Sequence, residues 1–278
     1  MKRIVVTGAK GGTGTGICQV LRDADYAVTA IDRVSPGDGD TDYIQLDLGD
    51  AAGVNDAFAG ADGVVHFGSV PGTDRMSTTA GFHNVAVAGF NVFQAARNVG
   101  IRRVVWASSV ETYGDYREHP SLPVTEDNPL SPPSIYGGSK VMLESLARDY
   151  ARWHGMAIAG LRLTRIIYDN DFGRAKLKRF VDNDSLGYDS LWSYVDARDV
   201  GTACRAWLES DLPGAEVFNI GAPNVHTETP TAELLEKHGY AGKPVPTQYG
   251  SHETLFSSRK LEAMLGWQAQ YDWKQILG

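Results

Sequence analysis

The stretch "VTGAKGGTGTG", residues 6–16, decides how the rest of the chain is read. It spaces Gly8, Gly11 and Gly14 evenly, directly after the β-branched run "RIVVTG" (3–8) and before a helix-length segment at 13–23. Glycine lets a backbone turn tightly and approach a pyrophosphate, and the helix N-terminus behind it offers unpaired N–H groups and a positive dipole end. A glycine loop between a first strand and a first helix is a much stronger signal than the same loop alone. Outward from it, short apolar runs alternate with helix-length segments. "AVTAID" (27–32), "DYIQLD" (42–47), "GVVHFG" (63–68), "RRVVWASS" (102–109) and "AIAGLRL" (157–163) read as strands. Residues 51–59, 81–99 and 134–154 read as helices. Nearly continuous apolar strands separated by helices predict a parallel sheet covered on both faces, the doubly wound α/β class.

After about residue 168 the rhythm breaks. "YDNDFGRAKLKRFVDNDSLGYDS" reads as polar and irregular; "LWSYVD", a helix near 197–209, "EVFNIG" (216–221) and two short helices near 230–238 and 258–265 follow. The expected organisation is residues 1–168 as a nucleotide-binding domain and 169–278 as mainly a small C-terminal substrate lobe, with some segments returning to the sheet.

The 278 residues are 42% hydrophobic and 22% charged, enough for a sizeable core. A net charge of −8 without a basic run argues against nucleic acid or an anionic membrane as partner. No apolar run approaches the roughly 20 residues of a membrane span, and the N-terminus enters a strand without a signal peptide's apolar region. Cys18 and Cys204 read as buried free thiols, so the expected location is the reducing cytoplasm. No Cys/His cluster suggests a metal, and most of the scattered tryptophans read as packing.

Asp32 closes the second strand, where a carboxylate accepts hydrogen bonds from both hydroxyls of an adenosine ribose and repels a 2′-phosphate. NAD is therefore expected over NADP, although the neighbouring Arg33 can stack on adenine or take a phosphate. Asp47 is read either as reaching the adenine edge or as capping the next helix.

In "SIYGGSK" (134–140), Tyr136 and Lys140 stand at i and i+4, on one helical face. A phenol has a pKa near 10, too high for a base at neutral pH. A neighbouring ammonium favours the phenolate, so the pair can take a proton from an alcohol while hydride leaves its carbon. Gly137 and Gly138 each cost a helix about 1 kcal/mol relative to alanine. A face free of side chains, open to cofactor and substrate, is the expected compensation.

With these pieces in this order the sequence resembles the extended short-chain dehydrogenase/reductase superfamily, in its NAD-dependent sugar epimerase/dehydratase branch. The likeness covers nearly the whole chain. It rests on "TGAKGGTG", "ID" at 31–32, "DL" at 47–48, "HFGS" at 66–69, "NVAVAGFNVFQAA" at 84–96, "SSVETYGD" at 108–115, "YGGSK", "VDARDV" at 195–200 and "FNIG" at 218–221. It implies a Rossmann-type sheet in which Gly8, Gly11, Gly12, Thr13, Gly14, Asp32, Arg33, Asp47, Leu48, Phe67 and Gly68 bind NAD. Ser109 then holds the reacting oxygen, Tyr136 is the acid/base, and Lys140 lowers its pKa and binds the nicotinamide ribose. Ser69, Asn84, Val110, Glu111, Arg165, Arg174 and Trp192 are the implied substrate residues; Asn84 also reads as an interior amide, and Glu111 as a loop carboxylate met by a nearby donor. Family members commonly pair the two long helices, so a homodimer through 81–99 and 134–154 is expected.

The size and layout are similar to uronate dehydrogenases, in which an arginine matching Arg174 binds the sugar carboxylate. Val110 and Glu111 stand where those enzymes carry Asn-His, and Arg165 stands where nucleotide-sugar epimerases carry an asparagine. The expected activity is NAD-dependent oxidation of a secondary hydroxyl on a small sugar or sugar acid. The alternatives are a nucleotide-sugar epimerase, dehydratase or decarboxylase that recycles its NAD, and a non-catalytic NAD-binding protein.

Overall fold

Strands apolar on both sides require cover on both sides, and the chain supplies it by alternating strand and helix. The computed structural model describes residues 2–37, 40–70, 78–240, 242–243 and 245–278. Its first half runs β1 (Arg3–Thr7), α1 (Gly12–Asp23), β2 (Ala27–Asp32), β3 (Tyr43–Gln45), α2 (Ala51–Phe58) and β4 (Gly63–His66). A helical segment follows, α3 (Thr78–Phe82) and α4 (Ala88–Asn98) joined by a π-helical turn at His83–Val87. Then come β5 (Arg103–Ser109), α5 (Ile135–His154) and β6 (Ala157–Leu163).

The second half adds β7 (Arg165–Ile167), α6 (Asp171–Asp182), β8 (Tyr194–Asp196), α7 (Ala197–Glu209), β9 (Ala215–Ile220), α8 (Thr231–Lys237), α9 (Arg259–Leu265) and α10 (Trp273–Leu277). Seven strands form one sheet in the order β3-β2-β1-β4-β5-β6-β9, every neighbouring pair parallel. β7 and β8 pair separately.

The chain enters the sheet at its centre. It winds outward one way through β2 and β3, then crosses back to β4 and winds the other way. Loops at the carboxyl ends of β1 and β4 therefore diverge and leave a crevice, the place where doubly wound folds take ligands. One apolar cluster fills the face covered by α1 and α7, including Ile17, Leu21, Val200, Cys204 and Trp207. A second fills the opposite face under α2, α4 and α5, including Val54, Phe58, Val92, Phe93 and Leu143. β9 lies beside β6, so residues far beyond 168 complete the sheet edge.

The irregular segment expected at 168–192 is largely a helix. Asn170 caps α6 by accepting the Gly173 N–H at 2.8 Å, and Leu177 and Phe180 are buried one turn apart. The polar majority of the segment hides a narrow apolar stripe. One expectation for a tryptophan also changes. Trp192 has no exposure, donates Nε1 to the Asp184 carbonyl at 2.6 Å and packs in the lobe core with Tyr113, Leu234 and Tyr240. Trp153 lies 53% exposed on α5.

Candidate active site

The glycine loop is built by backbone packing on backbone. Gly8 has φ +72°, and a Cβ there would lie 2.4 Å from the Phe67 carbonyl oxygen. A Cβ on Gly14 would lie 2.1 Å from the Gly8 oxygen. The turn thus closes onto the β4 loop and onto its own helix, leaving the outer N–H edge toward the crevice. Gly12 lies beneath the Tyr168 ring, while Thr13 and Gly14 are buried beneath the loop.

The crevice has a volume of about 850 Å³. Asp32, Arg33, Asp47, Leu48, Gly8, Gly11, Phe67, Gly68, Ser69 and Asn84 all line it. Asp32 accepts from the Lys10 N–H at 2.9 Å and from the Arg33 N–H at 2.7 Å, so its carboxylate is fixed to the glycine loop. Asp47 does not cap α2. It accepts from Gly49 N–H at 2.8 Å, and Asp50 caps the helix through Gly53 N–H at 3.1 Å. Asn84 sits in the π-helical turn and accepts from the Val70 N–H at 2.6 Å, tying the β4 loop to that turn. The Lys10 ammonium pairs with Asp40.

Ser69 joins the crevice to α5. Lys140 donates Nζ to Ser69 Oγ at 3.1 Å and to the Ala107 carbonyl at 2.6 Å. Its Nζ lies 5.3 Å from the Tyr136 ring centroid and 5.6 Å from that of Trp106. Ser109 ends β5 beside this pair, and its Oγ accepts the Glu111 N–H at 3.1 Å. All three side chains are buried.

Burial lowers the Lys140 pKa to about 7, with the Glu144 charge working the other way. The Tyr136 phenol lies above its ordinary value: burial raises it most, a hydrogen bond from Ser109 lowers it, and the Glu111 charge raises it. His66, hydrogen-bonded through Nδ1 to Thr7 Oγ1 at 2.8 Å, is pushed down to about 3 by burial and by Lys140.

The two glycines of α5 differ. A Cβ on Gly137 would lie 2.8 Å from the Glu111 carbonyl oxygen, so this glycine serves close packing inside the protein and not an open face. A Cβ on Gly138 would meet nothing within 4 Å. Glu111 accepts from Ser134 Oγ, which itself accepts from Gly137 N–H at 3.1 Å. The carboxylate thereby fastens the turn after β5 to the cap of α5. Val110, beside it, is half-buried against the lobe core.

The remaining expected substrate residues lie apart from the crevice lining. Arg165 donates Nε to Ser190 Oγ at 2.8 Å, pairs with Asp189 and sits 4.5 Å over the Phe180 ring. Arg174 is on the exposed side of α6, paired with Asp171 at 2.8 Å and Asp169 at 3.4 Å. Lys176, two residues on, is half-buried and donates to the Ile166 carbonyl at 3.2 Å. Burial and then the Arg165 charge lower its pKa. Among the described residues no carboxylate pairs with Lys176. The sequence sets Lys176 in one basic cluster with Arg165, Arg174, Lys178 and Arg179 and favours an arginine as the anion contact; it passes over Tyr168 and Glu144. Glu144 alone carried a visible signal, an acid two turns beyond Tyr136 on the same stripe.

The model of the NAD dependent epimerase/dehydratase family matches residues 4–221. The chain belongs to that family, and so is an enzyme with NAD as its cofactor. It is 26% identical to a UDP-glucose 4-epimerase of Corynebacterium glutamicum over 97% of this chain and 91% of that one. A uronate dehydrogenase of Pseudomonas syringae pv. tomato is 30% identical over 58% of each chain. The solved structure of MoeE5 in complex with UDP-glucuronic acid and NAD shares the fold, with a TM-score of 0.75 at 23% identity over 99% of this chain and 96% of that one. Among the described residues no helix is long and apolar enough to cross a membrane.

Proposed function

We propose that this chain oxidises a secondary hydroxyl of a small sugar or sugar acid, with Ser109, Tyr136 and Lys140 as its catalytic residues. The observation that carries the reading is the burial of Tyr136 and Lys140 on one face of α5, beside Ser109, with Lys140 bonded to Ser69 of the crevice wall. The crevice fits NAD: a glycine turn that tolerates no Cβ, a carboxylate at the end of β2, and the polar side chains of Ser69 and Asn84. NAD, when bound, supplies the hydride acceptor. Ser109 Oγ holds the reacting oxygen, Tyr136 Oη takes its proton, and Lys140 supplies the positive charge that stabilises the phenolate. Burial of all three excludes water from the exchange.

The partial likeness to uronate dehydrogenase supports a free sugar acid, and of the two α6 cations without a carboxylate among the described residues, Lys176 and Arg179, Lys176 is the half-buried one. The alignment with UDP-glucose 4-epimerase spans nearly the whole chain, and that favours a second reading, a nucleotide-sugar epimerase that retains its NAD. Offering free uronates, neutral aldoses and UDP-sugars with NAD separates the two. Stoichiometric NADH from a free sugar supports the first reading. A UDP-sugar converted without NADH accumulation overturns it in favour of the second.

The finer expectations stand with this reading. Residues 1–168 form the NAD-binding part and 169–278 mainly the substrate lobe. Phe82, Phe90, Met142 and Trp153, exposed on α3, α4 and α5, support a homodimer through these helices. The buried free thiols Cys18 and Cys204 suit a cytoplasmic enzyme.

A further inference from the structure

We propose that Glu144, held by Arg162, is a positioning residue that keeps Lys140 charged and seated against Tyr136. The proposal rests on the reading of Tyr136 as the acid/base.

Tyr136, Lys140 and Glu144 follow at intervals of four along α5 and so form one stripe. Each meets a different residue at the end of β5: Tyr136 contacts Ser109, Lys140 the Ala107 carbonyl, and Glu144 the Ser108 hydroxyl at 2.7 Å. Glu144 is fully enclosed, with side-chain exposure of 0% against 5% for Arg162. Arg162 grips it with both arms, Nε at 2.9 Å and Nη2 at 2.8 Å. The other end of the guanidinium is fixed by Tyr113 Oη at 2.6 Å and the Glu126 carbonyl at 3.2 Å. Glu144 thus has three donors and no freedom to turn away.

The surroundings of Lys140 give this carboxylate its effect. β4 presents His66, neutral at working pH; the loop beyond presents the Ser69 hydroxyl. β5 presents a carbonyl and the Trp106 ring, and α5 presents Tyr136 and Glu144. Glu111, on the turn after β5, acts on Tyr136. Among the described residues, Glu144 is the carboxylate whose charge acts on Lys140 against its burial. The Glu144–Arg162 pair is net neutral, so Lys140 feels a dipole whose negative end is one turn away on its own helix. Stability does not by itself explain the pair, because apolar residues of similar volume often replace a buried ion pair without loss.

The test is a titration of the Lys140 ¹³Cε resonance in the cofactor-free, full-length protein, assigned by its absence in Lys140→Arg. Glu144→Gln should move the midpoint down by about one pH unit, within the range of a nearby opposite charge. In the turnover assay with NAD, the acid-side limb of kcat should move up, because a neutral lysine leaves the phenol harder to ionise. The deficit should shrink as pH rises, with KM for NAD within about twofold of native, since no contact in the crevice is removed. If Glu144→Gln does not fold, Glu144→Met/Arg162→Met removes both charges, leaves neither unpaired, and should give shifts of the same sign but smaller size. An unmoved Lys140 midpoint, or a uniform fall in kcat at every pH, overturns the proposal. Near-native turnover in Tyr136→Phe instead overturns the reading beneath it.

Discussion

Helices α5 and α6 begin alike and end in different chemistry. Each opens on a side-chain cap, Ser134 to Gly137 N–H at 3.1 Å and Asn170 to Gly173 N–H at 2.8 Å. Each carries a glycine at that third position, packed so closely that a Cβ would strike a carbonyl oxygen. On α5 the functional groups then turn inward, and Tyr136, Lys140 and Glu144 are all buried. On α6 the cations mostly turn outward, Arg174 and Lys178 meeting aspartates on their own helix. The difference follows from what each helix lies on. α5 packs along β5 and β6, whose buried polar groups need partners. α6 packs on the short strand β7 and on α10, and keeps a narrow apolar seam at Leu177 and Phe180. Charge makes chemistry where burial strips its water away; the same charge in solvent is worth little.

The comparison breaks most sharply at Tyr136. Tyr136→Phe removes one oxygen from a buried ring and should leave the fold and NAD binding intact. Turnover should fall about 10²- to 10⁴-fold, the usual share of a general acid/base. A folded variant with a near-native rate at saturating substrate would send the proton elsewhere. The next effect belongs to the crevice. Asp32 is fixed by two backbone N–H groups, and the nearby Lys10 ammonium is occupied by Asp40. A 2′-phosphate would therefore meet a held negative charge, and NAD should bind at least about tenfold more tightly than NADP, roughly 1.4 kcal/mol. Calorimetric titration of both cofactors decides it, and equal affinities would sink the role of Asp32.

The sheet half was legible because its signals are local. A glycine loop, an acid ending β2, and a Tyr and Lys one turn apart each need only a few neighbouring residues to be read. The lobe was not, because α6 takes its meaning from rotation. Arg174 and Lys176 are two residues apart, roughly 200° around a helix, so they point different ways: Arg174 meets aspartates and Lys176 a backbone carbonyl. Only the burial of Leu177 and Phe180 sets that phase. The stripe shows Glu144 on the face of Tyr136 and Lys140, but its pairing was hidden for a related reason: Arg162 lies on another element, and nothing in the spacing joins them. Trp192 looked free to line a pocket until the left-handed backbone at Leu191 and Trp192, φ 52° and 54°, turned it into the lobe core.

That rotation can be tested directly. Arg174→Ala removes a cation already paired on the surface and should leave kcat and KM close to native. Lys176→Ala removes the half-buried cation without a carboxylate partner. If an acidic sugar is the substrate, its KM should rise about tenfold or more, the weight of one charge-assisted hydrogen bond, with little change for a neutral sugar. The reverse pattern would return the anion contact to Arg174.

The smallest expected effect lies in the lobe's own core. His226 is fully buried, and among the described residues neither ring nitrogen has a hydrogen-bond partner. Its ring packs 5.5 Å from Phe180 and 6.4 Å from Tyr194. Burial lowers its pKa to about 4, against about 6.5 in an unfolded chain. Between these values the unfolded chain binds a proton that the folded one refuses. The His226 contribution is therefore complete above pH 6.5 and is lost as pH falls toward 4. His66 adds a loss of the same sign down to about pH 3, but it has Thr7 as a partner and serves the sheet half. His226→Phe should relieve two unmet polar atoms and gain about 1 kcal/mol at neutral pH. It should gain more at pH 5, where the native imidazole is penalised further. Urea denaturation at pH 7.5 and pH 5 measures both. A loss of stability at neutral pH would mean that His226 has a partner in solution, or that the close approach of Gly187 to its ring leaves no room for the larger side chain. Equal gains at the two pH values would mean that the imidazole does not titrate in the lobe core.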